Sequence, residues 1–130
     1  MADINKLSVF GATKSVSTWS AGAAEVTLGL GAKGDSRAFL LVDNRNTDVI
    51  IRVNVEAGDG IRSVLGDLDV DIAVSSVAVI PLTDSMRFKD GAAATTYSAA
   101  GNVTVNLNDT SDVALTTAPL ANVKIAHIQG

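Results

Sequence analysis

Short segments in which polar and apolar residues alternate constrain the fold of this chain most strongly. The clearest is residues 67–74, where Leu68, Val70, Ile72 and Val74 fall on one side of an extended chain. The segments that we interpret as further strands are residues 6–10, 24–30, 38–43, 48–56, 77–82, 85–89, 103–107 and 123–128. β-Branched residues dominate these segments, as is typical of strands.

Turn-forming residues separate these segments roughly every 8–12 residues, which is the spacing of all-β sandwiches and barrels. The sequence therefore predicts an all-β chain, a single β-sandwich or β-barrel-like domain of about 8–9 short, mostly antiparallel strands. A short helical turn at residues 61–65 is an alternative for that stretch alone. The predicted core consists of Leu40, Val42, Ile51, Val53, Val55, Leu68, Val70, Ile72, Val79, Phe88, Val103 and Val105. We expect Phe88 to be buried, with Arg87 and Lys89 pointing the other way.

The first 36 residues differ from the rest of the chain, because they are rich in Ser, Thr, Gly and Ala. We interpret residues 1–36 as an N-terminal arm or as edge strands, and residues 37–130 as the β-sandwich, in one domain overall. Tryptophan is enriched among the residues that dominate interfaces, so Trp19 is a candidate anchor on a neighbouring subunit. The candidate interface residues are Trp19, Phe10 and Lys14.

Composition excludes several classes of function. The chain has no cysteine and one histidine, which excludes a thiol nucleophile and a multi-histidine metal site within one chain. A net charge of −4 argues against a broad cationic surface for nucleic acid. No run approaches the ~18 apolar residues of a membrane span, and the polar start does not resemble a secretory signal. We therefore expect neither a nucleic-acid nor a membrane partner, and synthesis in a cytoplasm.

Two motifs suggest chemistry, and each has a simpler interpretation. Residues 29–34 match G-x-G-x-x-G, but the next predicted element is a strand, so no helix is available to bind a pyrophosphate. Asp67, Asp69 and Asp71 resemble the start of a calcium loop that lacks the required Gly and Glu. They are typical of a solvated acidic strand that blocks aggregation, although an ion held with ligands from elsewhere stays open.

A catalytic constellation is not predicted. His127 is the one imidazole base in the chain, it lies close to the C-terminus, and no G-x-S-x-G motif accompanies it. We expect it to be a strand-edge or interface histidine. The sequence therefore predicts no enzyme and no cofactor.

Residues 81–91 are more distinctive when they are combined with the glycine turn at 58–60 and the alternating strand after Gly66. The order is a strand that runs to Val55, a glycine turn, an alternating strand, an apolar strand ending in Pro81-Leu82, an Arg87-Phe88-Lys89 strand and a Val-x-Val-x-Leu strand. This order resembles that of small all-β virion proteins of tailed bacteriophages, particularly head decoration (cement) proteins, over residues 38–107. The resemblance implies a β-sandwich-like domain, many copies on an icosahedral shell and no enzymatic activity.

The resemblance leads us to expect a virion structural protein that binds the outer shell of a tailed-phage head and stabilises it. Its partners would be the major capsid protein and further copies of itself in a homo-oligomer. It would lie on the capsid surface, and in the host cytoplasm during assembly. The alternatives are another phage head or tail component, or a carbohydrate-binding β-sandwich module, for which Trp19 and Tyr97 are the candidate stacking residues.

Overall fold

Two β-sheets enclose one core in the computed structural model, which describes residues 2–3, 6–8, 20–21, 23–30, 38–58, 64–82, 85–89 and 101–129. The described strands are β1 (Ala2–Asp3), β2 (Lys6–Ser8), β3 (Ser20–Ala21), β4 (Glu25–Gly29), β5 (Ala38–Asp43), β6 (Ile51–Val55), β7 (Leu68–Ile72), β8 (Val77–Pro81), β9 (Asn102–Asn108) and β10 (Lys124–Gln129). Two four-residue helices, α1 (Ser85–Phe88) and α2 (Thr117–Leu120), lie between strands. The prediction of an all-β domain is confirmed.

The first sheet has the strand order β1-β4-β9-β6-β7, and the second has the order β2-β10-β5-β8, with β3 also paired to β10. The pairings are antiparallel except for β1 with β4 and β2 with β10. The two sheets remain separate, and the inner face of each contributes to one apolar cluster. This arrangement is that of a sandwich rather than a closed barrel.

The core follows the predicted alternation where polar residues mark the phase of a strand. Ile51, Val53 and Val55 of β6 are fully buried, while Arg52 and Asn54 between them are not. The predicted core residues that are buried are Leu40, Val42, Ile51, Val53, Val55, Ile72, Phe88, Val103 and Val105. Leu68 and Val70 are partly buried against this core.

The prediction of Val79 as a core residue is wrong. Val79 is 59% exposed, and its neighbour Ile80 is buried instead. Residues 77–82 are apolar almost throughout, so their composition does not reveal which residues face inward. The phase is set by the pairing with β5, in which Val79 lies opposite Leu41 and Ile80 lies opposite the buried Leu40.

The predicted strand at residues 85–89 is also wrong, because Ser85–Phe88 forms the short helix α1. Phe88 is buried as expected, but Lys89 is fully buried rather than turned to solvent. Arg87 donates from Nε to the carbonyl of Gly66 and from Nη2 to that of Asp67, both at 2.7 Å. The backbone N–H of Gly58 donates to the Arg87 carbonyl at 2.8 Å, so tertiary contacts on two sides hold this turn.

Part of the N-terminal segment belongs to the sheets. Strand β4 lies between β1 and β9, and Val26, Leu28 and Leu30 on and after it are buried in the core. β1, β2 and β3 each pair with a strand of a sheet. The rest of the arm hypothesis concerns residues outside the described ones. In the stretch where a helical turn was the alternative, residues 64–65 form a short 3₁₀ turn with both side chains exposed.

Candidate functional site

The outer faces of the two sheets have opposite chemical character. Strands that alternate buried apolar and outward polar residues build the first sheet, so its outer face is polar. Strands that are apolar on both sides build much of the second sheet, so its outer face is largely apolar. We call these the polar face and the apolar face. Because polar atoms on a strand surface are readily solvated and apolar ones are not, the two faces suit different neighbours.

Hydrogen-bonded side chains cover the polar face. Arg52 on β6 donates two hydrogen bonds to Asp71 on β7, from Nε to Oδ1 at 2.7 Å and from Nη2 to Oδ2 at 3.0 Å. Its Nη1 donates to Asp112 Oδ1 at 3.1 Å. Hydrogen bonds from the Arg52 guanidinium lower the pKa of the Asp71 carboxyl, and those to Asp71 and Asp112 raise the pKa of Arg52.

Asn54 extends this network to the other two aspartates of the acidic strand. Its Nδ2 donates to Asp69 Oδ1 at 2.8 Å and to Asp67 Oδ2 at 3.2 Å. Asp67 Oδ1 also accepts from the backbone N–H of Ala57 at 2.7 Å. Asn106 on β9 donates to Asn54 Oδ1 and so links a third strand.

The three carboxylates of the acidic strand are therefore engaged by protein donors. In the described part of the chain, no group of three or more His, Asp or Glu side chains is placed to hold a metal ion. The interpretation of Asp67, Asp69 and Asp71 as an acidic strand face agrees with their exposed positions at the edge of the first sheet. The side-chain hydrogen bonds of the polar face connect β6, β7 and β9.

The apolar face is built from cross-strand pairs on β8, β5 and β10. Opposite residues of an antiparallel pair share a face. Pro81 lies opposite Phe39, and Phe39 opposite Ile128, in one row; Val79, Leu41 and Ala126 form the next row. Val79 and Pro81 are exposed, Phe39, Leu41 and Ile128 are partly exposed, and Ala126 is fully buried.

Charge enters the apolar face at one end, where Lys124 and Asp43 lie opposite each other. Asp43 is 4% exposed and accepts two bonds from the Arg45 side chain, at 3.0 Å and 2.9 Å. The Arg45 hydrogen bond is the main cause of the lowered pKa of the Asp43 carboxyl, against a smaller opposing effect of burial. The charged residues are confined to this end. The two rows described above consist of uncharged residues only.

A groove of about 700 Å³ lies beside this end, between the β5–β6 loop and α2. Its lining includes Arg45, Thr47, Asp48 and Asn122, and no aromatic side chain lies among the described residues that line it. Carbohydrate sites normally hold sugars against aromatic rings. The described lining therefore offers hydrogen-bonding groups to a small polar molecule.

The sequence predicts a histidine at a strand edge or interface, but His127 lies in a strand that has neighbours on both sides. β10 is flanked by β5 on one side and by β2 and β3 on the other, and His127 is fully buried opposite Leu40. Its position two residues from Ile125 places it on the inner face, in the core. The prediction of a strand-edge or interface histidine is wrong.

The remaining predicted site residues are outside the described part of the chain. Trp19, Phe10 and Lys14 fall there, and so does the candidate stacking residue Tyr97. The glycine-rich stretch 29–34 is described only as far as Leu30.

Sequence reasoning missed the apolar face, although a signal for it was present. Residues 38–42 and 77–82 are nearly continuous apolar runs, and such runs indicate strands that are apolar on both sides. Assigning alternate residues of each run to the core left the other half unexplained. That other half, with Phe39, Leu41 and Val79, forms the apolar face.

The chain matches no family model, and comparisons with curated proteins and with solved structures found no match. Among the described residues, no helix is long and apolar enough to cross a membrane.

Proposed function

We propose that this protein is a non-enzymatic virion structural protein, a decoration (cement) protein that binds the outer shell of a tailed-phage head and stabilises it. Its partners in this proposal are the major capsid protein and further copies of itself. The proposal rests on the resemblance of residues 38–107 to such proteins and on one structural observation, the contrast between the two outer faces.

The apolar face is the observation that carries the proposal. An exposed apolar sheet surface bordered by polar residues is typical of a protein–protein contact. Here Val79 and Pro81 are exposed beside the partly exposed Phe39 and Leu41, whereas the polar face opposite is covered by Arg52, Asn54 and their carboxylate partners. A subunit that lies on a shell needs one surface for the shell and another for solvent, and the sandwich has both.

Many equivalent copies would make a small contact sufficient. The two rows of the apolar face span only three strands of about five residues each, so a single contact is expected to be weak. On a lattice with repeated sites, linked contacts raise the overall affinity without any new interaction. The aliphatic core, which depends on no cofactor or disulfide, is compatible with this use.

The first experiment asks whether the chain co-purifies with phage particles and in how many copies per particle. Binding of variants to empty shells of that phage then tests whether the apolar face contacts the shell. Leu41→Lys places a charge in the middle of the apolar face. The aliphatic stem of the introduced lysine keeps part of the packing that the leucine side chain makes. We expect shell binding to weaken by about tenfold or more, since burying an unpaired charge is unfavourable.

Val113→Lys is the matched control, because Val113 is 59% exposed in the loop after β9 and lies off the apolar face. It should bind shells as the wild type does, and both variants should keep the wild-type melting temperature within a few degrees. If the wild type does not bind shells, or if Leu41→Lys binds as well as Val113→Lys, the proposal is wrong. Binding on a glycan array without shell binding would favour the carbohydrate-binding alternative.

A further inference from the structure

Among the strands that the structure describes, β8 lies at one edge of the second sheet and pairs on one side only. The Leu82 N–H donates to the Ala38 carbonyl at 2.8 Å, and the Asn44 N–H donates to the Ser76 carbonyl at 2.9 Å. Bonded and non-bonded residues alternate along an antiparallel pair. The N–H and C=O groups of Val77 and Val79 therefore point away from β5, and among the described residues no strand pairs with them.

Pro81 supports this assignment. Its position is the next one at which an N–H would point to the free edge, and proline has none. Proline is tolerated in sheets where its missing N–H faces away from the neighbouring strand. The free edge thus offers donors at Val77 and Val79, acceptors at Val77, Val79 and Pro81, and then ends.

Charge distinguishes β8 from β7, the edge strand of the first sheet that a short turn joins to β8. Strand β7 and the residue before it carry Asp67, Asp69 and Asp71, whose charges repel the same strand of a second copy. β8 reads Val-Ala-Val-Ile-Pro and carries no charge, in a chain with a net charge of −4. The edge strands β1 and β2 have two and three residues, which is short for strand addition. Among these edges, β8 is the one whose own residues are long enough for pairing and carry no charge.

We propose that β8 pairs antiparallel with β8 of a second copy about a two-fold axis at Val79, which makes a homodimer with a continuous sheet. In this register the two Val79 residues exchange N–H···O bonds. Each Val77 N–H donates to the Pro81 carbonyl of the other copy, so every donor on the edge is used. Because both copies use the same strand, the contact closes as a dimer and does not propagate into fibres.

The dimer joins the apolar faces of two copies into one wider surface, since paired strands keep their side chains on common faces. It depends only on the edge of β8 and is therefore independent of capsid binding. The contact is small compared with the ~1,200–2,000 Å² of stable interfaces, so we expect a dissociation constant on the order of 0.1 mM.

Sedimentation equilibrium from about 10 μM to 1 mM measures the dimer, and amide NMR over the same range locates it. We expect the Val77 and Val79 amide signals to shift and gain exchange protection as concentration rises. Those of Ala78 and Ile80, which lie on the bonded side of β8, should be protected at every concentration. A protein that stays monomeric at 1 mM, or concentration-dependent shifts confined to β7, would overturn the proposal.

Val79→Pro removes the N–H that faces the second copy and no hydrogen bond within the sheet. It should weaken dimerisation by about tenfold or more, whereas the control Val79→Thr, which keeps the N–H and the branched shape, should dimerise as the wild type does. Val79→Lys, which puts like charges opposite each other, provides the same test if the proline variant fails to fold. Unchanged dimerisation in the folded variant refutes the pairing. Shell binding by Leu41→Lys is measured separately, so failure of the dimer and failure of capsid binding are distinguishable.

Discussion

Replacement of Asn44 tests how the turn after β5 is held. Asn44 is fully buried, and its Nδ2 lies 2.9 Å from the Val49 carbonyl, 3.3 Å from that of Ile72 and 3.2 Å from that of Ala73. Its Oδ1 accepts from the Thr47 hydroxyl. One side chain therefore connects the ends of β5 and β7, which belong to different sheets.

The size of the effect follows from these contacts. A net hydrogen bond contributes about 0.5–1.5 kcal/mol, and a buried acceptor left without a donor costs about 1–3 kcal/mol. The amide has two protons for its three carbonyl acceptors, so Asn44→Ala should lower the free energy of unfolding by about 2–4 kcal/mol.

Asn44→Asp has nearly the same shape but directs a negative charge at the same carbonyls. Burial and these dipoles raise the pKa of the new carboxyl above its unfolded value of about 3.9. The stability lost relative to the wild type should therefore grow as pH rises from about 4 to 7 and exceed the loss in Asn44→Ala at pH 7.

Urea denaturation at pH 4 and pH 7 measures both variants. Asn46→Ala is the control, because Asn46 is exposed in the same turn, and its effect should stay within about 0.5 kcal/mol. A loss below about 1 kcal/mol in Asn44→Ala, or equal losses in Asn44→Asp at both pH values, would refute the reasoning.

Three further predictions concern stability. Phe88→Ala should cost about 3–5 kcal/mol in urea melts, because the ring is buried and the Arg87 guanidinium lies 4.9 Å from its centroid; a loss below about 1 kcal/mol would show that the ring is not packed. Gly66→Ala should lower the free energy of unfolding by about 1–2 kcal/mol, because φ is +78° there although no atom lies within 4 Å of the new Cβ. Gly58→Ala should lower it by more, because the new Cβ would lie 2.0 Å from the Lys89 carbonyl oxygen. Equal losses in the two glycine variants would contradict this. Arg45 lowers the pKa of Asp43 in the folded state. The contribution of the Asp43 carboxylate to the free energy of unfolding is therefore present above pH ~4 and is lost as pH falls further. Thermal melts of Asp43→Asn and wild type should therefore differ less at pH 3 than at pH 7, and a constant difference would show that the ion pair does not stabilise the fold.

Sequence patterns predicted the fold where polar residues reveal which side of a strand faces out. The alternation of Ile51, Val53 and Val55 with Arg52 and Asn54 fixes the phase of β6, and the structure confirms it. In residues 77–82 no polar residue marks the phase, and only the pairing with β5 decides that Ile80 faces inward. Local pattern therefore sufficed for half-buried strands and failed for strands that are apolar on both sides.

The segment at residues 85–89 was misread for a different reason. Arg87-Phe88-Lys89 alternates over too few residues to distinguish a strand from a helical turn, since a buried Phe88 satisfies both. The turn is fixed by Gly58 and by the carbonyls of Gly66 and Asp67, which are distant in sequence. The apolar face was likewise invisible to the pattern of any one strand, because it forms only when three strands are placed side by side.

The position of β10 has a consequence for how the chain folds. β10 pairs with β5 on one side and with β2 and β3 on the other, so residues near both ends of the sequence meet across it. During synthesis, β5 can pair with β8, but β2 and β3 are made well before residues 124–129, and nothing connects them to β5 until that strand appears. Pairings so distant in sequence slow folding and leave apolar strands exposed in the meantime. We expect the second sheet to be completed only after synthesis of β10, so nascent chains that stop before residue 124 should aggregate or require a chaperone.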